Sequence, residues 1–340
     1  MNILQLRLFR KSFLLPIHFQ LNYNKKKEVF FMKYNYKYRI VNNGKKLLKN
    51  YRRGLFGTLH NKNRQEIINE ISPLVTNKYI DQYVYAQVLY DNKNFDEAFQ
   101  IAYKLSIKNY VPAKYILACM TMNGYFFNKD EKAAVKQCKE IIKLDPTFAP
   151  CLYTLGRLYL DGTEIKKAPV KGIELIQKAA KLNFAPAIRH LGVYYYYGQH
   201  GLFKDIDKAR RYFKKLYKRN HSVATCDLAI SYLHEKNHKK AYKYFIKSAN
   251  RNNSKALYNC GLMHVEEKFN MIDYVKGIDF FKKAANQGNV DAMGYLGYVL
   301  YTTFGKYPNM KEEGKEWLLK ACKYNNQAAI EFVKANNITN

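Results

Sequence analysis

Acidic side chains are scarce in this chain. Its 340 residues carry 27 Asp and Glu against 58 Lys and Arg, a formal charge of +31, and no acid precedes Glu28. A balance this basic points to anionic partners such as nucleic acid, lipid headgroups or acidic protein, and away from cationic ligands. No apolar run reaches about 18 residues, so no membrane-spanning helix is expected. The six cysteines, Cys119, Cys138, Cys151, Cys226, Cys260 and Cys322, include no C-x-x-C pair. A secreted disulfide framework is therefore disfavoured, and buried reduced thiols in a reducing compartment are expected. A Gly-rich phosphate loop is also missing, since Asn43-Gly44-Lys45-Lys46 lacks the upstream glycine and the Ser or Thr.

One motif imitates a metal site. His234-Glu235-Lys236-Asn237-His238 has the H-E-x-x-H spacing, which in zinc proteases puts two ligands on adjacent turns of one helix. The repeat register of the chain places a turn between the two histidines, and no third histidine follows at a metzincin spacing. Glu266 and Glu267 are the only conceivable third ligands. No catalytic residue, metal site or cofactor is expected.

What is abundant is periodicity. A small residue recurs at Ala86, Ala118, Gly156, Gly192, Ala229, Gly261 and Gly297. A second series follows at Ala98, Ala134, Gly172, Ala209, Ala241, Gly277 and Gly314. Inside the units the period is helical: Leu152, Leu155, Gly156 and Tyr159 fall on one stripe, as do Ile188, Leu191, Gly192 and Tyr195. Two small-residue contacts per unit predict two packed helices, A and B. Seven such units make an all-α chain, an α-solenoid of about seven helix-turn-helix repeats. A glycine inside a helix costs about 1 kcal/mol relative to alanine, so helix-interior glycines in register predict close approach of A to B.

Leu155-Gly156-x-x-Tyr159 with Asp161-Gly162 and Lys178-Ala179-Ala180, then Leu191-Gly192-x-x-Tyr195-x-Tyr197-Gly198 with Asp207-Lys208-Ala209, resemble the Sel1-like repeat, a relative of the tetratricopeptide repeat. Gly261, Lys283-Ala284-Ala285, Gly288-Asn289 and Leu296-Gly297 carry the likeness into the sixth and seventh units. The first, second and fifth units read more like tetratricopeptide units, with short turns at Asn94–Ala98 and Asn237–Ala241 and a Leu144-Asp145-Pro146 ending. The resemblance covers about residues 78 to 326 and implies an adaptor that binds other proteins. It includes a likeness to fungal mitochondrial repeat proteins that assist respiratory-complex assembly.

Residues 1–20 read as a mitochondrial targeting segment. Leu4, Leu8, Phe9 and Leu15 can form one face of a short helix, with Arg7, Arg10 and Lys11 on the other. Up to residue 60 there are fourteen Lys or Arg and one acid. Residues 21–76 form a basic extension, and 77–340 the repeat array with a closing helix near Gln327–Lys334. The expected location is the mitochondrial matrix, peripheral on the inner membrane, with the cytoplasm as the alternative.

Two surfaces are candidates for partners. Positions three before and one after each small A-helix anchor should line the concave face: Tyr115, Tyr153, Arg157, Arg189 and Tyr258, a mixture suited to an acidic or aromatic peptide. Arg210, Arg211, Lys214, Lys215, Lys218 and Arg219 step along one B helix as a basic stripe, suited to RNA phosphates or anionic lipid. The expected function is a non-enzymatic scaffold for assembly of an inner-membrane respiratory complex. The alternatives are an RNA-binding factor in mitochondrial gene expression and a cytosolic adaptor.

Overall fold

A computed structural model of the chain describes residues 72, 75, 77–125, 128–305 and 307–338. The targeting segment and nearly all of the basic extension expected from sequence lie outside them. Every regular element among the described residues is helical. In order these are α1 Tyr79–Asp91, α2 Phe95–Ile107, α3 Val111–Asn123, α4 Glu131–Leu144, α5 Ala149–Asp161, α6 Pro169–Lys181, α7 Ala185–Tyr197 and α8 Ile206–Tyr217. There follow α9 Ser222–His234, α10 His238–Ala249, α11 Ser254–Val265, a 3-10 turn Glu267–Phe269, α12 Tyr274–Asn286, α13 Val290–Thr303, α14 Pro308–Lys323 and α15 Gln327–Ala335. Seven A/B pairs and a closing helix result. The described residues fall into two compact units, one ending at Ser231 and the other beginning at Tyr232, and within each unit successive pairs pack as a solenoid.

Local chemistry sets the helix ends. Asp130, Asp205, Asn237 and Asp273 cap α4, α8, α10 and α12 by accepting from the third backbone N–H onward, and Asn253, Asn289 and Asn326 do the same for α11, α13 and α15. B helices end in the left-handed conformation at Asn109, Asn183, Asn220, Asn252, Gly288 and Asn325, where Asn and Gly are the residues that adopt positive φ most readily. The exception is α4, which ends at Asp145-Pro146 as its sequence indicated; there the Asp145 carboxylate accepts from the Thr147 N–H at 2.9 Å and its hydroxyl at 2.7 Å. Lysines in the last turn of α2, α4, α6, α8, α10, α12 and α14 complement the helix dipole.

The small-residue series marks where A meets B. A Cβ on Gly156 would lie 2.8 Å from the Gly172 carbonyl oxygen, and one on Gly297 2.7 Å from that of Gly314. On Gly192 and Gly261 it would meet the rings of Phe213 and Phe281 instead. Three residues past the A anchor, aromatic rings stack on the B helix: Tyr195 on Tyr212, Tyr232 on Tyr244, and His264 on Phe280. Lys171, Lys208 and Lys240 lie over the rings of Tyr159, Tyr195 and Tyr232. Below these, Leu89, Leu105, Ile116 and Met120 are among the buried residues that close the core of the first two pairs, and Cys138, Ile141, Cys151 and Leu155 continue it.

Candidate functional site

Four of the five predicted groove residues, all but Arg157, share one structural role, joining each A helix to the next. The Tyr115 hydroxyl lies 3.0 Å from Thr154 Oγ1. The Tyr153 hydroxyl lies 3.3 Å from His190 Nε2. Arg189 donates to the Asp227 carboxylate from Nε at 2.6 Å and from its second guanidinium arm at 3.3 Å. Tyr258 packs edge-on against Tyr295 with centroids 6.3 Å apart. In all four cases a residue three before one anchor meets a residue two before the next. Thr154, His190, Asp227 and Tyr295 were missed in the sequence, although their constant offset from the anchors is the signal that finds them.

Burial follows from this role. Tyr153 is 1% exposed, so its phenol is a packing group with a polar tip rather than an open surface. Tyr115 and Tyr258 are half-buried, and burial raises the pKa of both hydroxyls well above the ordinary tyrosine value. Arg157 sits one turn before Asp161, 3.3 Å from its carboxylate. Burial opposes the Arg157 charge, and Tyr153, Tyr194 and Asp161 more than offset it, so its pKa stands above the ordinary arginine value. Burial is also the largest effect on His190; with the positive charges of Arg157, Arg189 and His200 it holds that imidazole well below its usual pKa. Tyr115, Tyr153, Arg157 and Arg189 belong to the unit that ends at Ser231, whereas Tyr258 belongs to the other.

Five of the six residues of the predicted basic stripe face solvent, three on α8 and two just past its end. Arg211, Lys214, Lys215, Lys218 and Arg219 are exposed. Arg210 is 8% exposed and turns inward, donating from Nε to Ser231 Oγ at 3.2 Å and from a terminal nitrogen to the Ser231 carbonyl at 2.8 Å. It cannot serve as a surface charge, because α9 supplies its acceptors. Arg219 donates to the Asn183 carbonyl at 2.8 Å, just past the end of α6. The neighbouring tyrosines offer little for base stacking: one face of Tyr195 lies on Tyr212, and the Lys208 ammonium is 4.1 Å from the ring centroid.

The histidine motif straddles a turn. His234 is the last residue of α9, His238 the first of α10, and Lys236 between them has φ +58°. His238 packs against Phe269, and Glu266 accepts from the Tyr295 hydroxyl and pairs with Lys268. Five of the six cysteines are buried and all six are free. Burial pushes the Cys119 thiol up to about 12, which leaves it protonated and unreactive at neutral pH.

Family comparison agrees with this repeated geometry. The Sel1 repeat matches residues 149–184, 185–221, 223–253, 254–289 and 290–326, just over half of the chain. The chain is a Sel1 repeat protein. The fifth pair, which reads as tetratricopeptide-like because of its short turn, is one of the matched Sel1 repeats, which corrects that reading. The pairs α1/α2 and α3/α4 lie ahead of the matched region.

Solved structures are similar to this Sel1 repeat protein in fold. A Sel1 repeat protein from Oxalobacter formigenes superposes with a TM-score of 0.62 at 24% identity, covering 71% of this chain and 99% of that one. The protective antigen c5321 of uropathogenic Escherichia coli, described as displaying an SLR fold, gives 0.57 at 20% identity over 79% of this chain and 58% of that one. No curated protein matches the sequence. Sel1 repeat proteins typically act as protein-interaction scaffolds, and the fold is typically non-enzymatic. No helix among the described residues is long and apolar enough to cross a membrane.

Proposed function

We propose that this protein is a mitochondrial scaffold that holds a client during assembly of an inner-membrane respiratory complex, working from the matrix side. The observation that carries the compartment is the amino terminus: fourteen basic residues and one acid up to residue 60, with Leu4, Leu8, Phe9 and Leu15 spaced to form an apolar helical face. The repeat array supplies the scaffold. The client's acidic or aromatic segment is read along the A helices at half-buried Tyr115 and Arg157, since Tyr153 is buried and Arg189 is held by Asp227. The exposed part of the α8 stripe is the surface for anionic lipid or RNA.

Affinity purification of a carboxy-terminally tagged chain from isolated mitochondria, with and without nuclease, tests compartment and partner class together. Nuclease-resistant recovery of inner-membrane assembly proteins is the expected result. Nuclease-sensitive recovery of ribosomal or transcript partners would replace the scaffold with an RNA-binding factor. Absence from mitochondria would leave a cytosolic adaptor.

A further inference from the structure

The turns between A and B helices expose apolar side chains beside lysines. In the unit ending at Ser231, Phe203 is 92% and Val170 76% exposed, the former in the α7–α8 turn and the latter in the first turn of α6. Each is followed directly by an exposed lysine, Lys204 or Lys171, and Lys166 and Lys167 stand exposed in the α5–α6 turn.

These two turns lie side by side: His200 Nε2 is 3.9 Å from Asp161 Oδ1. Both are tied down at their far ends, where the Ala168 N–H donates to the Tyr159 carbonyl at 2.9 Å and the Asp205 N–H to that of Tyr195 at 2.7 Å. The nearby acids are engaged: Asp161 with Arg157, Glu131 and Glu164 together with Lys129, Asp205 in the α8 cap and Asp207 with Arg210. Four lysines therefore dominate the field at this edge. The pairing recurs independently in the other unit, where Val275 is 77% and Met310 40% exposed, each followed by a lysine.

We propose that the α5–α6 and α7–α8 turns form a lipid-docking edge, in which Phe203 and Val170 enter the interfacial region of an anionic bilayer while Lys166, Lys167, Lys171 and Lys204 meet its headgroups. Apolar groups standing in water gain free energy on reaching the acyl boundary, and lysine stems extend across that boundary with their ammonium groups in the headgroup layer. Single-stranded RNA is the competing polyanion, since an exposed ring stacks on bases. The aliphatic character of the other exposed residues favours lipid, because Val170, Val275 and Met310 have no ring to stack. This edge is separate from the α8 stripe and extends the membrane-surface part of the proposed function. Because its test uses purified protein and vesicles, failure here is distinct from failure of mitochondrial targeting.

The test is the emission of full-length Phe203→Trp with vesicles of phosphatidylcholine alone or mixed with phosphatidylglycerol, against wild type, whose one tryptophan is Trp317. On the anionic vesicles the variant is expected to shift to the blue and to be quenched by lipids brominated high on the acyl chain, with wild type unchanged. Phe203→Ala is expected to lower vesicle affinity about tenfold, and its unchanged circular dichroism would show that the fold is intact. Co-sedimentation without a spectral change at position 203 would overturn the proposal by placing contact elsewhere, such as the basic amino terminus. No vesicle binding, or a larger spectral change with single-stranded RNA than with vesicles, would also overturn it.

Discussion

His190 illustrates how one half-buried group links charge to stability. Its pKa is held well below 6.5 in the folded chain, first by burial and then by Arg157, Arg189 and His200. As pH falls through about 6.5 the unfolded chain takes up this proton before the folded one does, so folding loses stability in that direction. Thermal midpoints are expected to fall between about pH 7 and pH 5, and His190→Gln to flatten that slope. An unchanged slope would assign the effect to other groups. Gly156 makes a second residue-scale case. The Cβ of Gly156→Ala would meet the Gly172 carbonyl oxygen and the Ile176 side chain, each at 2.8 Å. Overpacking against backbone is expected to cost about 1–3 kcal/mol, read as a lower urea midpoint. The glycine series was legible in sequence because a helix-interior glycine has a cost that only packing repays.

Between elements, the contrast is between charges that hold helices together and charges that face outward. Arg189 and Asp227 join α7 to α9 with side chains 16% and 6% exposed. Asp227→Asn is expected to destabilise by about 3 kcal/mol, since removing one partner of a buried pair leaves the other uncompensated, and a double-mutant cycle with Arg189→Ala would isolate the coupling. Arg210→Ala is likewise expected to lower the urea midpoint, because it removes the donors to Ser231. Replacing Lys214, Lys215 and Lys218 by alanine is expected to leave stability within about 0.5 kcal/mol per site while lowering the salt needed to elute the protein from heparin. A helical wheel puts Arg210 beside this stripe. Only the position of α9 decides that it turns inward.

At the scale of the whole molecule, tandem repeats need a closed end. Phe332 on α15 packs edge-on against Tyr298 and Tyr301 of α13, with centroids 5.4 and 5.9 Å away. A chain ending at residue 326 is expected to bind a hydrophobic dye and unfold at lower urea than the full chain. Equal stability would show that the last A/B pair is self-sufficient. The order extends past the helix: Ile338 is 9% exposed and its N–H donates to the Val333 carbonyl at 3.0 Å.

The sequence by itself determined the repeat number, the A and B registers, the position of the turn inside the histidine motif and the caps. Each depends on residues within one helix or its flanks, where helical period, glycine cost and Asn or Asp side-chain bonding act locally. Tertiary structure alone decided which A-helix side chains stay accessible. Tyr153 and Arg189 look like surface residues in register, but the next A helix presents His190 and Asp227 to them across 37 and 38 residues. Register along one helix fixes a direction around its axis. Whether that direction meets water or a neighbouring helix depends on how successive pairs stack, which is a property of contacts distant in the chain.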